Sequence, residues 1–131
     1  MVIAAAVVLA LGCLYLCFTF VGPKLRPRDP AVVTAMQSTS LVITRQTTVW
    51  KAWLGFNASH SLAAILFSLI YGYLPLAHPA VLFDSWFLQA VGLCLLIGFV
   101  VLARAYWFRV PLVGVCASLA CYLASIALAQ A

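Results

Sequence analysis

The sequence predicts an all-α membrane protein, a bundle of four transmembrane helices with its N-terminus and C-terminus both outside. Three observations predict it. First, 67% of the 131 residues are hydrophobic, 7% are charged, and the mean hydropathy is +1.19. An average soluble domain is about half apolar and about a quarter charged, and a chain this short leaves a large share of its surface exposed. Second, the apolar residues gather in four runs, each long enough for the hydrocarbon core of a bilayer. Third, all seven basic residues fall in segments that a four-span arrangement puts on one side. Despite a net charge of +5, the composition excludes a nucleic-acid-binding module, a soluble globular domain and a disordered chain.

Residues 2–22 carry no charge. The run is longer than a signal-peptide core, no Lys or Arg precedes it and the basic cluster follows it, so it reads as a retained first helix. The second span is expected at about 54–74, the third at about 85–103 and the fourth at about 110–131. Pro75 and Pro79 bracket the second turn, where each stops or starts a helix. Pro111 falls in the first turn of the fourth span, where its missing N–H costs least.

Lys24, Arg26, Arg28, Arg45 and Lys51 lie between spans one and two, and Arg104 and Arg109 between spans three and four. The connection 75–84 has no basic residue and carries Asp84. The positive-inside rule makes the basic side cytoplasmic, which puts both termini of this integral membrane protein outside. Trp50, Trp53, Tyr106 and Trp107 then sit at the inner interface, and Tyr71, Tyr73 and Trp86 near the outer one.

Residues 23–51 form the one long connection. Asp29 reads as a helix cap and Pro30 as its first turn, with Val32, Val33, Met36 and Ile43 near helical spacing. Two readings stand: a short interfacial helix drawn by its basic neighbours to anionic lipid headgroups, or an ordered loop over the inner mouth of the bundle. Helix contacts are expected at small residues, namely Ala6, Ala10, Cys13 and Cys17 on span one and Gly114, Ser118, Cys121 and Ser125 on span four. All five cysteines lie in apolar runs with no Cys-x-x-Cys, and read as small hydrophobes rather than as a disulfide or zinc framework.

One polar constellation falls inside a span. Asn57, His60, Ser61, Ala64 and Ser68 share a helix face, which must point into the bundle or a cavity because polar groups at membrane depth are costly. By depth, Tyr15 and Thr19 on span one, Gly98 on span three and Ser118 on span four are the expected neighbours of His60. The face is either a binding or proton site, since histidine titrates near neutral pH and is the usual axial ligand of haem, or a set of structural hydrogen bonds. His78 is roughly 27 Å farther along at 1.5 Å per residue, so the two histidines of one chain cannot share a metal. No metal or resident cofactor is predicted; haem or a quinone would be the lipophilic ligands to consider. Asp84 and Gln89, at the outer end of span three, read as a cap or a substrate gate. Asn57-Ala58-Ser59 matches a glycosylation acceptor, but within a span it is unusable.

The chain matches a proton-coupled four-helix drug exporter in size, yet its first span lacks the embedded Glu such proteins use. It also lacks the Cys-x-x-Cys pairs of a four-helix quinone-linked thiol oxidoreductase, and has no catalytic triad or phosphate loop. The stretch Trp50-Lys51-Ala52-Trp53-Leu54-Gly55-Phe56-Asn57-Ala58-Ser59-His60-Ser61 resembles small bacterial four-helix membrane proteins of uncharacterised function. That resemblance implies architecture and a bacterial membrane, and nominates Gly55, Phe56, Asn57, His60 and Ser61 for testing. The functional expectation is a non-enzymatic accessory or scaffold subunit, bound to a membrane-protein partner or to further copies of itself. A binder of a quinone, haem or lipid through Asn57 and His60 is the alternative, and a small-molecule transporter the third.

Overall fold

The computed structural model describes residues 1–131. Its elements in order are α1 (Val2–Phe20), α2 (Pro30–Ser38), β1 (Ser40–Leu41), β2 (Thr44–Thr48), α3 (Val49–Ala77), α4 (Pro79–Phe83), α5 (Trp86–Tyr106) and α6 (Arg109–Gln130). The four expected spans are present: α1, α3, α5 and α6 are each long and apolar enough to cross a membrane. The chain divides into two compact units, Met1–Leu11 with Ala64–Ala131, and Gly12–Ala63.

In the first unit all four long helices contribute to one apolar core. Ala4 and Val8 of α1, Ala64, Phe67 and Tyr71 of α3, Leu96, Phe99 and Ala103 of α5, and Val115 and Tyr122 of α6 are buried together with Leu82 of α4. The contact stripe of α1 corrects the one expected from small residues. Ala6, Ala10, Cys13 and Cys17 are exposed, whereas Ala4, Ala5, Val8, Gly12 and Thr19 are buried. Side-chain size alone did not choose the face, because the fitting partner surface also has to supply bulk and hydrogen-bond donors. On α6 the expected stripe is closer: Ser118 is fully buried, with Pro111, Val115 and Tyr122 beside it. A Cβ on Gly114 would lie 2.8 Å from Cδ1 of Leu11, so this glycine marks a close approach of α6 to α1.

The connection between α3 and α5 is not a simple turn. Pro75 lies inside α3, which continues to Ala77, so the stop comes three residues after the expected end at 74. Only the bond from position 75 back to Tyr71 is lost, and the last turn still closes through the His78 N–H to the Leu74 carbonyl at 2.8 Å. Pro79 then opens the short helix α4, which ends at Asp84 as its C-cap. Asp84 therefore does not cap α5. Its backbone is right-handed helical, whereas the N-cap of α5 is Ser85, in the extended conformation, whose side chain accepts from the Leu88 N–H.

In the second unit α1 ends at Phe20, two residues short of the apolar run, because Gly22 takes a left-handed φ of 82°. Helix α2 starts where expected: Asp29 Oδ1 accepts from the Ala31 N–H at 2.8 Å, with Pro30 in the first turn. Ile43 is not part of it. Residues 40–48 form an antiparallel hairpin, with Leu41 paired to Thr44 and Ser40 to Thr48 across an irregular register. This hairpin corrects the purely helical or irregular reading of the connection. The run Thr44 to Val49 is rich in β-branched residues, which suit a strand, but helical spacing of Val32, Val33, Met36 and Ile43 masked it. Helix α3 begins directly after β2, five residues before the expected start.

The tightest point of the first unit is Gly92. A methyl group there would run into the Tyr122 hydroxyl and come within 2.6 Å of the Tyr71 ring. Gly92→Ala is expected to destabilise the protein by about 1–3 kcal/mol through overpacking, read as an earlier unfolding midpoint in a denaturing-detergent titration. A Cβ on Gly98 meets nothing within 4 Å, so Gly98→Ala should leave that midpoint unchanged or raise it.

Candidate functional site

The first half of α3 carries the polar residues singled out by the sequence. Ser61, Ala64 and Ser68 are buried, Asn57 and His60 half-buried, while Gly55, Phe56, Ser59, Leu62 and Leu66 are exposed. The expected face is thus the one turned inward. It is apolar bulk that faces out, with Phe56 76% exposed.

Two of its four polar groups, Asn57 and Ser68, bond to their own helix. Asn57 Nδ2 donates to the Trp53 carbonyl at 2.8 Å, and Ser68 Oγ to the Ala64 carbonyl at 2.8 Å. Ser59, off the face, donates to the Phe56 carbonyl. On α1 the buried Thr19 likewise donates to the Tyr15 carbonyl at 2.8 Å, and Tyr15 itself is half-buried. Such back-bonding satisfies a hydroxyl or amide at membrane depth without a second helix. The resemblance-nominated Gly55 and Phe56 lie on the exposed side of α3.

The remaining candidates lie in the first unit, and two of them, Ser118 and Gln89, tie one helix to another. Ser118 donates from α6 to the Ala4 carbonyl of α1 at 2.9 Å. Gln89 is buried; its Nε2 donates to the Phe83 carbonyl at 2.7 Å, closing α5 onto α4. Its Oε1 lies 3.5 Å from Gln130 Nε2. Asp84 is exposed. Gly98 is half-buried on α5.

Two tyrosines that matter more were not selected from the sequence. Tyr71, expected near the outer interface, is buried among the helices. Its hydroxyl donates to the Leu88 carbonyl at 2.6 Å and its ring stacks on Phe67 at 4.6 Å. Tyr122 is fully buried and donates to the Gln89 carbonyl at 2.8 Å, its ring 5.9 Å from that of Tyr71. The signal was present: Tyr71 continues the polar face of α3 by three residues beyond Ser68, and Tyr122 follows Ser118 by four. Tyr73 and Trp86, expected at the same depth, are 60% and 82% exposed.

No buried side-chain nitrogen or oxygen lacks a partner, and no three His, Cys, Asp or Glu side chains converge as metal ligands would. Four helices of spanning length and composition define the chain as a multi-pass helical membrane protein. Compared with known proteins, it matches no family model, no curated protein and no solved structure.

The two kinds of hydrogen bond should separate on mutation. Tyr122→Phe removes an interhelical donor and is expected to lower stability by about 0.5–1.5 kcal/mol. Ser68→Ala removes only a back-bond to a carbonyl that already accepts within the helix, and should shift the same unfolding midpoint by less than about 0.5 kcal/mol.

Proposed function

We propose that the protein is a non-enzymatic scaffold or accessory subunit of a complex in a bacterial cytoplasmic membrane. The observation that carries this reading is the use made of the polar side chains of the core. Tyr71, Tyr122, Ser118 and Gln89 each donate to a main-chain carbonyl of another helix. A catalytic or transport site needs polar groups held ready for a substrate. Here they are committed to fixing helix against helix, which suits a body whose outer surface does the work. That surface is rich in apolar side chains on all four long helices, among them Ile3, Leu14, Leu66, Val101 and Val113. In the membrane it is presented to lipid, to a partner protein or to another copy of the chain.

The basic residues at 24–51 and at 104 and 109, in the connections and the helix ends beside them, support an orientation with those segments cytoplasmic and both termini outside. Single-cysteine labelling in sealed, oriented vesicles is expected to find positions 40 and 107 on one side and position 78 on the other. Finding 78 on the side of 40 would break the four-span arrangement.

A second reading rests on Asn57 and His60, which are half-buried where Ser61 next to them is sealed. A lipophilic ligand such as a quinone or haem would meet the chain there. Native mass spectrometry on protein extracted gently from its own membrane separates the two. A defined protein stoichiometry with no bound small molecule, unchanged in His60→Ala, is the outcome expected of a scaffold subunit. A partner-free protein carrying a quinone or haem that His60→Ala releases would replace that reading with the second.

A further inference from the structure

The hairpin between α2 and α3 breaks a rule of turn chemistry. Two-residue hairpin turns favour Gly, Asn or Asp, which tolerate positive φ. Here Val42 and Ile43 connect Leu41 to Thr44, and no residue other than glycine in the chain has positive φ. These two side chains are 110% and 89% exposed, the highest values among the exposed large apolar residues. They contribute nothing to the core, so their place at the tip calls for a surface outside the protein.

The surroundings identify its chemistry. Between Val21 and Lys51 stand Lys24, Arg26, Arg28, Arg45 and Lys51 against a single carboxylate, Asp29, which is engaged as the cap of α2. Two of the cations mark the helix ends: Lys24 Nζ lies 4.2 Å from the Phe18 ring of α1, and the Arg26 guanidinium 6.0 Å from the Trp50 ring of α3. Trp50 stacks on Trp53 at 5.3 Å. A stacked aromatic pair with a cation over one ring is the composition of a membrane–water boundary. The hairpin runs into α3 without a linker, which holds its tip within about 20 Å of that boundary, six residues of extended chain.

We propose that the Val42–Ile43 tip is a lipid anchor, its two side chains seated in the headgroup region of an anionic leaflet while Arg45 and the neighbouring cations hold the phosphates around it. Apolar insertion and attraction to anionic headgroups reinforce one another, as in amphipathic anchors that use both signals. The anchor depends on the chain crossing a membrane, not on whether it serves as a scaffold or binds a ligand.

The test uses the full chain in nanodiscs of phosphatidylcholine, alone or mixed with phosphatidylglycerol. Trypsin cleavage after Arg45, within the hairpin, is expected to slow by about fivefold or more in the anionic discs, the attraction of one basic residue or more. V42D/I43D should restore fast cleavage there, with the cuts after Arg104 and Arg109 unaffected throughout. Equal cleavage in both lipids, or a double variant that stays protected, overturns the proposal. Should the double variant fail to reconstitute, single cysteines at 42 and 43, in a background with the five native cysteines replaced by alanine, decide the matter. Labelled with an environment-sensitive fluorophore, they are expected to be quenched by spin-labelled lipid more strongly than the same label at 37 or 46. Equal quenching overturns the proposal, and a tip shielded from water but not quenched by lipid assigns it instead to a protein partner.

Discussion

Two tyrosine hydroxyls bonded to consecutive carbonyls of one helix hold the first unit together. Tyr71 reaches from α3 to Leu88, and Tyr122 from α6 to Gln89. Both carbonyls lie a turn before Gly92 and Leu93, whose N–H groups they also serve within α5, so each oxygen uses its second lone pair for the clamp. The geometry is available only because Gly92 has no side chain to keep the rings away. In lipid there is no hydrophobic force between helices, so close packing and such hydrogen bonds decide which faces meet. The burial of Phe67, Leu96 and Val115 follows from that alignment.

Architecture was legible in the sequence because it depends on quantities that add along the chain. Run length, charge placement and the absence of buried charge are visible one residue at a time. The start of α2 was legible for a local reason: Asp29 and Pro30 carry a capping geometry in their own covalent structure. The inward face of α3 was legible because a polar residue at membrane depth has one side on which it can be satisfied. What was not legible depended on a partner. Ala6, Ala10, Cys13 and Cys17 satisfy the small-residue spacing yet face outward, since the opposing surface of α1 offers Ala4, whose carbonyl accepts from Ser118. Tyr71 reads as interfacial until the carbonyl it meets is known. The hairpin was hidden because its turn lacks every residue that usually signals one.

The polar groups divide into two economies. Thr19, Asn57 and Ser68 bond back to their own helices and leave interhelical geometry unconstrained, while Ser118, Gln89, Tyr71 and Tyr122 bond across. The second group fixes register and the first does not. Neither α1 nor α3 is left free by its back-bonds, since Ser118 holds the Ala4 carbonyl of the first and Tyr71 ties the second to Leu88.

The helices also differ in length, and this has a consequence for where the protein can reside. Helix α1 has 19 residues and α3 has 29, about 28 Å and about 44 Å at 1.5 Å per residue. The first just matches a hydrocarbon layer of about 30 Å; the second is longer because its helix runs past the apolar run 54–74, through Lys51 at one end and Pro75 at the other. In a thicker bilayer α1 becomes the short member and the lipid around it must thin. In a thinner one α3 must lean over or carry its Trp50–Trp53 pair farther into the headgroups. Hydrophobic mismatch of this kind costs fractions of a kcal/mol per Å and sorts proteins among membranes. The unequal pair α1 and α3 thus leaves the ends of α3 projecting past the layer that α1 just spans.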